Sequence, residues 1–404
     1  MIRYPFRFSF LLPAFSSFVM LWCLSYWVPI NIYAPSIYFG VDNFHGIQPR
    51  AIIGSFIYLL PLEKNNINLI GNIIRLGSTF IWLFFIHLQL ERSIFSAKQN
   101  YIEINKTILY LALGFIFAAS STTYLAFSSS GIIDAFPSSI IALIVTSEYL
   151  ISSKNQWHLK VLIISGLLVL ATWAHEKTLY DIAILFVWFS YRWGLKRASF
   201  YFLPGLFLSL ALIVRMAHKV TSGETPAGYL AILSSGVEFF WIHAFSISGA
   251  AFGGGALWGI YWLASSKLIR TTKSSWDYWK AAFSIFLMLV ICFLPLLVAL
   301  DTSRLCALIW LPVLLLLKEI NPTELFASTA RKWALLALCI FQALIPPMLV
   351  YQKGIAPFNC YGLWLGQFLP PRSHVDVRAL GLFRLSIHTR PDFTNFFINE
   401  CSNK

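Results

Sequence analysis

Residues 161–217 read VLIISGLLVLATWAHEKTLYDIAILFVWFSYRWGLKRASFYFLPGLFLSLALIVRMA. Three apolar runs stand here: Val161–Ala174, Thr178–Tyr191 and Ser199–Ala217. Between the first two lies only His175-Glu176-Lys177, and between the last two a short basic segment, 192–198. Helices this apolar all round are buried in a large core or in a bilayer. A membrane crossing needs about 20 mostly apolar residues. The stretch therefore predicts consecutive antiparallel transmembrane helices.

The whole chain agrees. Its 404 residues are 58% hydrophobic and 12% charged, against roughly 25% charged in an ordinary soluble domain. Composition excludes a disordered chain, a collagen and a disulfide scaffold. Further runs are Phe8–Ile32, Ile67–Leu90, Thr107–Phe127, Ile132–Ile151, Ser246–Ser266, Ala281–Leu300, Leu305–Leu317 and Trp333–Tyr351. Phe8–Ile32 is too long for a signal-peptide core and lacks a small-residue cleavage site, so it counts as a span. Ala51–Leu62 and Tyr229–Phe245 are left uncounted, the first as an interfacial or re-entrant segment, the second as an amphipathic or broken one. The expected fold is an all-α polytopic transmembrane helical bundle of about 11 spans (10–13 as bounds) over residues 1–352. Residues 353–404 form an extracytoplasmic tail.

Orientation follows from Lys and Arg in the short loops. With the N-terminus inside, the inside segments hold 17 of the 30 basic residues and the opposite short loops six. This puts the N-terminus in the cytoplasm and the C-terminus outside. It also accounts for much of the net charge of +13 without nucleic acid, since no continuous basic stripe exists. Of the six cysteines, Cys23, Cys292, Cys306 and Cys339 lie in spans and read as small hydrophobes. Cys360 and Cys401 are in the tail, where pairing is open. Gly253-Gly254-Gly255 sits in a span and is expected to permit close helix packing.

The outside connections carry ionisable residues at the membrane edge. The first reads YFGVDNFHGIQPRAIIG, with Asp42, His45 and Arg50. Asp134 follows the third span. The turn AHEKTLYD brings His175, Glu176, Lys177 and Asp181, and LDTSRL brings Asp301 and Arg304. A charge at a span end is ordinarily a boundary marker, and Asp301 with Arg304 or Lys177 with Asp181 can be local helix pairs. Yet HEK and DTSR are nearly the whole of their connections, where a plain turn favours Gly, Asn, Pro or Ser. Charge near hydrocarbon is expensive and usually marks function. Together these residues predict one extracytoplasmic site. Arg75, Glu148, His87, Glu238 and His243 are second-tier candidates, with Arg75 either snorkelling or joining that site.

Carboxylates beside arginines suit a substrate with a phosphate leaving group. A carboxylate or imidazole takes the acceptor's proton, and Arg holds phosphate oxygens. The layout resembles the GT-C class of polytopic glycosyltransferases. The acidic residue in FGVDNFHG and the arginine opening the next apolar segment are similar to bacterial members that modify surface polysaccharides. The resemblance implies a polyprenyl-phosphate sugar donor, a glycan or lipid-linked acceptor and a bacterial inner-membrane location. Asp42 would be the base, with Glu176, His175 and Asp301 as further catalytic candidates. Arg50, Arg304, His45 and Lys177 would bind substrate phosphate. Asn43 stands where a second acid is common, which leaves no metal assigned, and no cofactor is implied beyond the lipid-linked donor. Rival readings are a Wzy-like polysaccharide polymerase or O-antigen ligase, a transporter or lipid flippase, and a structural membrane scaffold. Reporter fusions after Tyr191 and after Lys177 are expected to report inside and outside respectively. A cytoplasmic Lys177 overturns the shared site.

Overall fold

The computed structural model describes residues 10–27, 64–95, 103–120, 123, 131–148, 156–175, 177–220, 254–272, 274–294, 307–344, 348–351 and 354–357. They are helical but for one hairpin. In chain order the helices are α1 (Leu11–Trp27), α2 (Lys64–Phe95), α3 (Glu103–Ala118), α4 (Gly131–Thr146), α5 (Trp157–Ala174), α6 (Thr178–Trp193), α7 (Leu195–Val220), α8 (Ala256–Thr271), α9 (Ser275–Phe293), α10 (Trp310–Glu319), α11 (Pro322–Leu325) and α12 (Thr329–Leu344). Strands β1 (Met348–Tyr351) and β2 (Gly354–Pro357) pair antiparallel. Each of the eleven expected spans overlaps a helix of at least ten residues.

Among the described residues, four helical segments are long and apolar enough to cross a membrane: Ile73–Phe95, Trp157–Ala174, Leu195–Arg215 and Ser275–Phe293. Leu11–Cys23, Lys106–Ala118 and Ala135–Thr146 are shorter apolar helices. At 32 residues α2 is about 48 Å long, more than the ~30 Å hydrocarbon layer. Outward apolar side chains of α5, α7 and α9 suit lipid as the surrounding solvent: Leu162, Phe207, Val214 and Phe283 are each more than 60% exposed.

Ion pairs define one end of the bundle. The Glu148 carboxylate pairs with Arg192 Nε at 2.9 Å and with Lys318 Nζ at 2.6 Å. Arg192 also reaches Glu319, and Lys318 donates to the Val145 carbonyl. Arg92 donates to the Thr146 carbonyl at 3.1 Å. The C-terminal ends of α2, α4, α6 and α10 therefore meet, and these four helices run the same way. Lys280, in the first turns of α9, lies 5.5 Å over the Tyr191 ring near the end of α6, so the α8–α9 connection joins the same end. Trp276 and Trp279 are exposed there, as interfacial aromatics are.

At the other end, Gln342 of α12 clasps two elements. Its Nε2 donates to the Ala119 carbonyl past α3 at 2.7 Å, and its Oε1 accepts from Ala256 N at the start of α8 at 2.9 Å. The terminal groups it satisfies have no intrahelical partner. Ser120 and Thr123 hydroxyls donate to the Phe117 carbonyl nearby. The core between the ends is large and aromatic, with Trp82 edge-on to Trp310 at 5.5 Å. Helices α5 and α7 lie side by side: Thr172 Oγ1 donates to Ser209 Oγ at 3.0 Å. A Cβ on Gly205 would stand 3.2 Å from Ser165 Cα, tighter than an ordinary contact, so glycine eases that approach.

One expectation changes. The last span does not continue as helix to Tyr351. Helix α12 stops at Leu344 before Ile345 and Pro346-Pro347, which lack the amide donors a helix needs, and residues 348–351 are strand β1. Of the glycine triplet, Gly255 precedes α8 with φ +48° and lets Gln342 of α12 approach closely, as the packing expectation has it, since a Cβ there would stand 2.5 Å from Gln342 Oε1. Gly253, Ala51–Leu62 and Tyr229–Phe245 lie outside the described residues.

Removing the Glu148 carboxylate leaves Lys318 and Arg192 facing each other. Glu148→Ala is expected to cost about 2 kcal/mol, less than a fully buried pair because Arg192 is 36% exposed. Thermal unfolding in detergent reads this as a lowered Tm, with Glu148→Gln intermediate.

Candidate functional site

The α5–α6 turn lies at the end of the bundle opposite the Glu148 network. Helix α5 delivers His175 in extended conformation, φ −160° and ψ 129°, while its N–H still donates to the Ala171 carbonyl. The imidazole then closes the turn: Nδ1 accepts from Lys177 N at 3.0 Å. An accepting Nδ1 places the proton of the neutral ring on Nε2. Thr178 N donates to the His175 carbonyl at 3.1 Å, and Thr178 Oγ1 to the Ala171 carbonyl at 3.0 Å. The first hydroxyl of α6 thus caps the last turn of α5.

All three ionisable residues described here are sequestered. His175 is 2% exposed, Lys177 6% and Asp181 0%. Asp181 lies in the first turn of α6, where the helix dipole favours a negative charge. It follows Lys177 by four residues, so the two occupy one side of the helix. A plain surface turn would leave such groups in water. Here an imidazole, an ammonium and a carboxylate are each buried, where charges act more strongly than in water. The set offers proton transfer and anion binding.

Arg75 lies in the half of α2 nearer this end and is 2% exposed, held inside the bundle and not snorkelling to the surface. Asp134 is in the first turn of α4, at the same end. Glu148, in contrast, belongs to the ion pairs of the far end. There burial depresses the Lys318 ammonium below its usual value, against the opposing pull of Glu148. Asp42, His45, Arg50, Glu176, Asp301, Arg304, Glu238 and His243 lie outside the described residues, as do Cys360 and Cys401. Among the described residues, no three His, Cys, Asp or Glu side chains are grouped to hold a metal ion.

A second polar cluster crosses α1, α2 and α3 within the bundle. Ser17 Oγ and His87 Nδ1 are 2.9 Å apart, and Tyr110 donates to Ser16 Oγ at 3.2 Å. Gly114 makes room for the ring, since a Cβ there would lie 2.8 Å from His87 Nε2. Ser16 and Ser17 were passed over in the sequence because serine in an apolar run commonly bonds its own helix. The adjacent serine pair was the available signal. No protein-family model, curated protein or solved structure matches the chain.

His175→Leu removes the acceptor for Lys177 N and is expected to cost about 1–3 kcal/mol of stability. His175→Asn restores an acceptor two residues before that amide and is expected to recover most of the Tm. Thermal unfolding of both variants checks this. Equal destabilisation by Leu and Asn would refute the turn-closing role.

Proposed function

We propose that this chain is an integral-membrane glycosyltransferase with about 11 crossings and a GT-C-like bundle. It would move a sugar from a polyprenyl-phosphate donor to an extracytoplasmic glycan or lipid-linked acceptor. The observation that carries the reading is the burial of His175 and Lys177 in a three-residue connection, and of Asp181 in the first turn of the helix after it, at one end of the bundle, with the Glu148 network at the other. On this reading the network end faces the cytoplasm of a bacterial inner membrane and the His175 end faces outside.

Asp42 accepts the proton of the acceptor hydroxyl as its oxygen attacks the anomeric carbon. The bond from that carbon to the donor phosphate breaks, and the electron pair leaves with the polyprenyl phosphate. Arg50, Arg304, His45 and Lys177 stabilise the departing charge. His175, Glu176 and Asp301 position or share the proton.

A transporter reading has one observation in its favour. Buried ionisable groups within a bundle often line a substrate path, and Arg75 and the His87–Ser17 pair are such groups. The two readings separate in proteoliposomes with a lipid-linked sugar. A transferase forms a new glycosidic bond, whereas a transporter moves its substrate unchanged. Asp42→Asn is expected to lower transfer by roughly 10²–10⁴-fold with insertion and expression intact. Wild-type transfer in that variant excludes Asp42 as the base.

A further inference from the structure

One rim of the bundle interleaves cations with aromatic rings. A single residue, Gly194, joins α6 to α7, so Trp193, Leu195, Lys196 and Arg197 stand together at the corner. The Arg197 guanidinium lies 4.9 Å over the Trp193 ring, and Trp193 meets Tyr201 edge-on at 5.8 Å. On the α5 side, the Phe200 ring lies 4.6 Å from that of Trp157, the first residue of α5. On the α9 side, Lys280 lies 5.5 Å over Tyr191. The rim therefore runs from the start of α5, past the α6–α7 corner, to the first turns of α9. It belongs to the end of the bundle that holds the Glu148 network.

Its apolar members face outward. Trp276, Trp279, Phe283 and Phe286 follow one another at three- and four-residue steps, which is one side of a helix. Each is at least 60% exposed. The indoles stand at the rim and the phenyl rings deeper, which is the order of a bilayer interface and the hydrocarbon beneath it. Lys280 follows Trp279 directly and so lies at headgroup depth. At the corner, exposed Leu195 precedes Lys196, itself exposed. Among the described residues, Lys196 and Lys280 are in no ion pair. Asp277, three residues before Lys280, turns to the start of its helix, where it accepts from the Ser274 hydroxyl at 2.8 Å. Lys280 turns instead to Tyr191. Glu319 pairs with Arg192.

We infer that this rim binds anionic phospholipids, with Lys196 and Lys280 at their phosphates and Leu195, Trp276 and Trp279 against the glycerol and the first acyl carbons. Lysines at a membrane surface attract acidic lipid in this way. The Tyr191 ring under Lys280 holds that cation in place. A soluble anion gains nothing from the outward apolar side chains, and a neutral lipid gains nothing from the lysines. Bound headgroups keep the α6–α7 corner and the start of α9 at one level of the bilayer. The inference is independent of the proposed transferase activity.

The test uses the full chain, purified in neutral detergent and stripped of lipid. Dioleoyl phosphatidylglycerol or dioleoyl phosphatidylcholine is titrated in mixed micelles. Acetylation of each lysine by sulfo-N-hydroxysuccinimide acetate is read by peptide mapping, and retained lipid by native mass spectrometry. Phosphatidylglycerol is expected to slow acetylation of Lys196 and Lys280 about fivefold relative to phosphatidylcholine. Lys332, exposed at the start of α12, is expected to stay unprotected. Lys196→Gln with Lys280→Gln lowers phosphatidylglycerol retention about tenfold, the corresponding double arginine variant keeps it, and Lys332→Gln leaves it unchanged. Melting curves verify that the variants fold. Where the double variant melts early, Lys196→Gln alone, at an exposed position, carries the test with a loss of about fivefold. Equal acetylation in the two lipids, equal protection of Lys332, or protection by glycerol phosphate at matched concentration each overturns the proposal. So does equal protection by soluble polyglutamate, which points to an acidic protein partner.

Discussion

A buried carboxylate in an apolar bundle must have cations, and Glu148 draws them from two other helices. Arg192 ends α6 and Lys318 ends α10, while Glu148 itself follows α4. Arg92 near the end of α2 adds a bond to the Thr146 carbonyl in the same place. Removing any one of these charges leaves the others poorly solvated, so the four helix ends are held in register together. Apolar packing alone would not choose this alignment. Lipid tails are as apolar as leucine, so sliding one helix along another costs little unless a polar group is stranded.

The opposite end follows from that register. With α6 anchored at its C-terminus, its first residue meets the end of α5 across only three residues. Thr178 and His175 then complete the turn with their own side chains. Gln342 performs the corresponding task for α3, α8 and α12. Both arrangements satisfy backbone groups that a bilayer would leave stranded. The same economy places His175, Lys177 and Asp181 out of solvent, which is what gives that turn chemical interest beyond a connection.

Legibility varied with the kind of signal. Apolar runs located the helices, because hydropathy acts on each residue separately. Helix ends were less legible. The run from Trp333 stays apolar to Tyr351, but the helix is bounded at Leu344 and Met348–Tyr351 is a strand. Gly255 does allow close packing, against Gln342 of α12, and the sequence did not show that it also needs positive φ. Arg75 was open to snorkelling or to joining the outside site, and it is buried. The pairing of Ser17 with His87 spans 70 residues, a separation at which periodicity carries no information.

The sequence by itself determined that the chain is helical and apolar enough for a membrane, roughly where each helix lies, and which connections carry charge. Those properties depend on composition and local spacing. Only the tertiary structure decided which charges meet. It joined Glu148 to Arg192 and Lys318, folded His175 back onto the amide of Lys177, and set Lys280 over the Tyr191 ring. Such contacts depend on how distant helices are turned and aligned, and that is set by burying polar groups together in a medium that offers them no water.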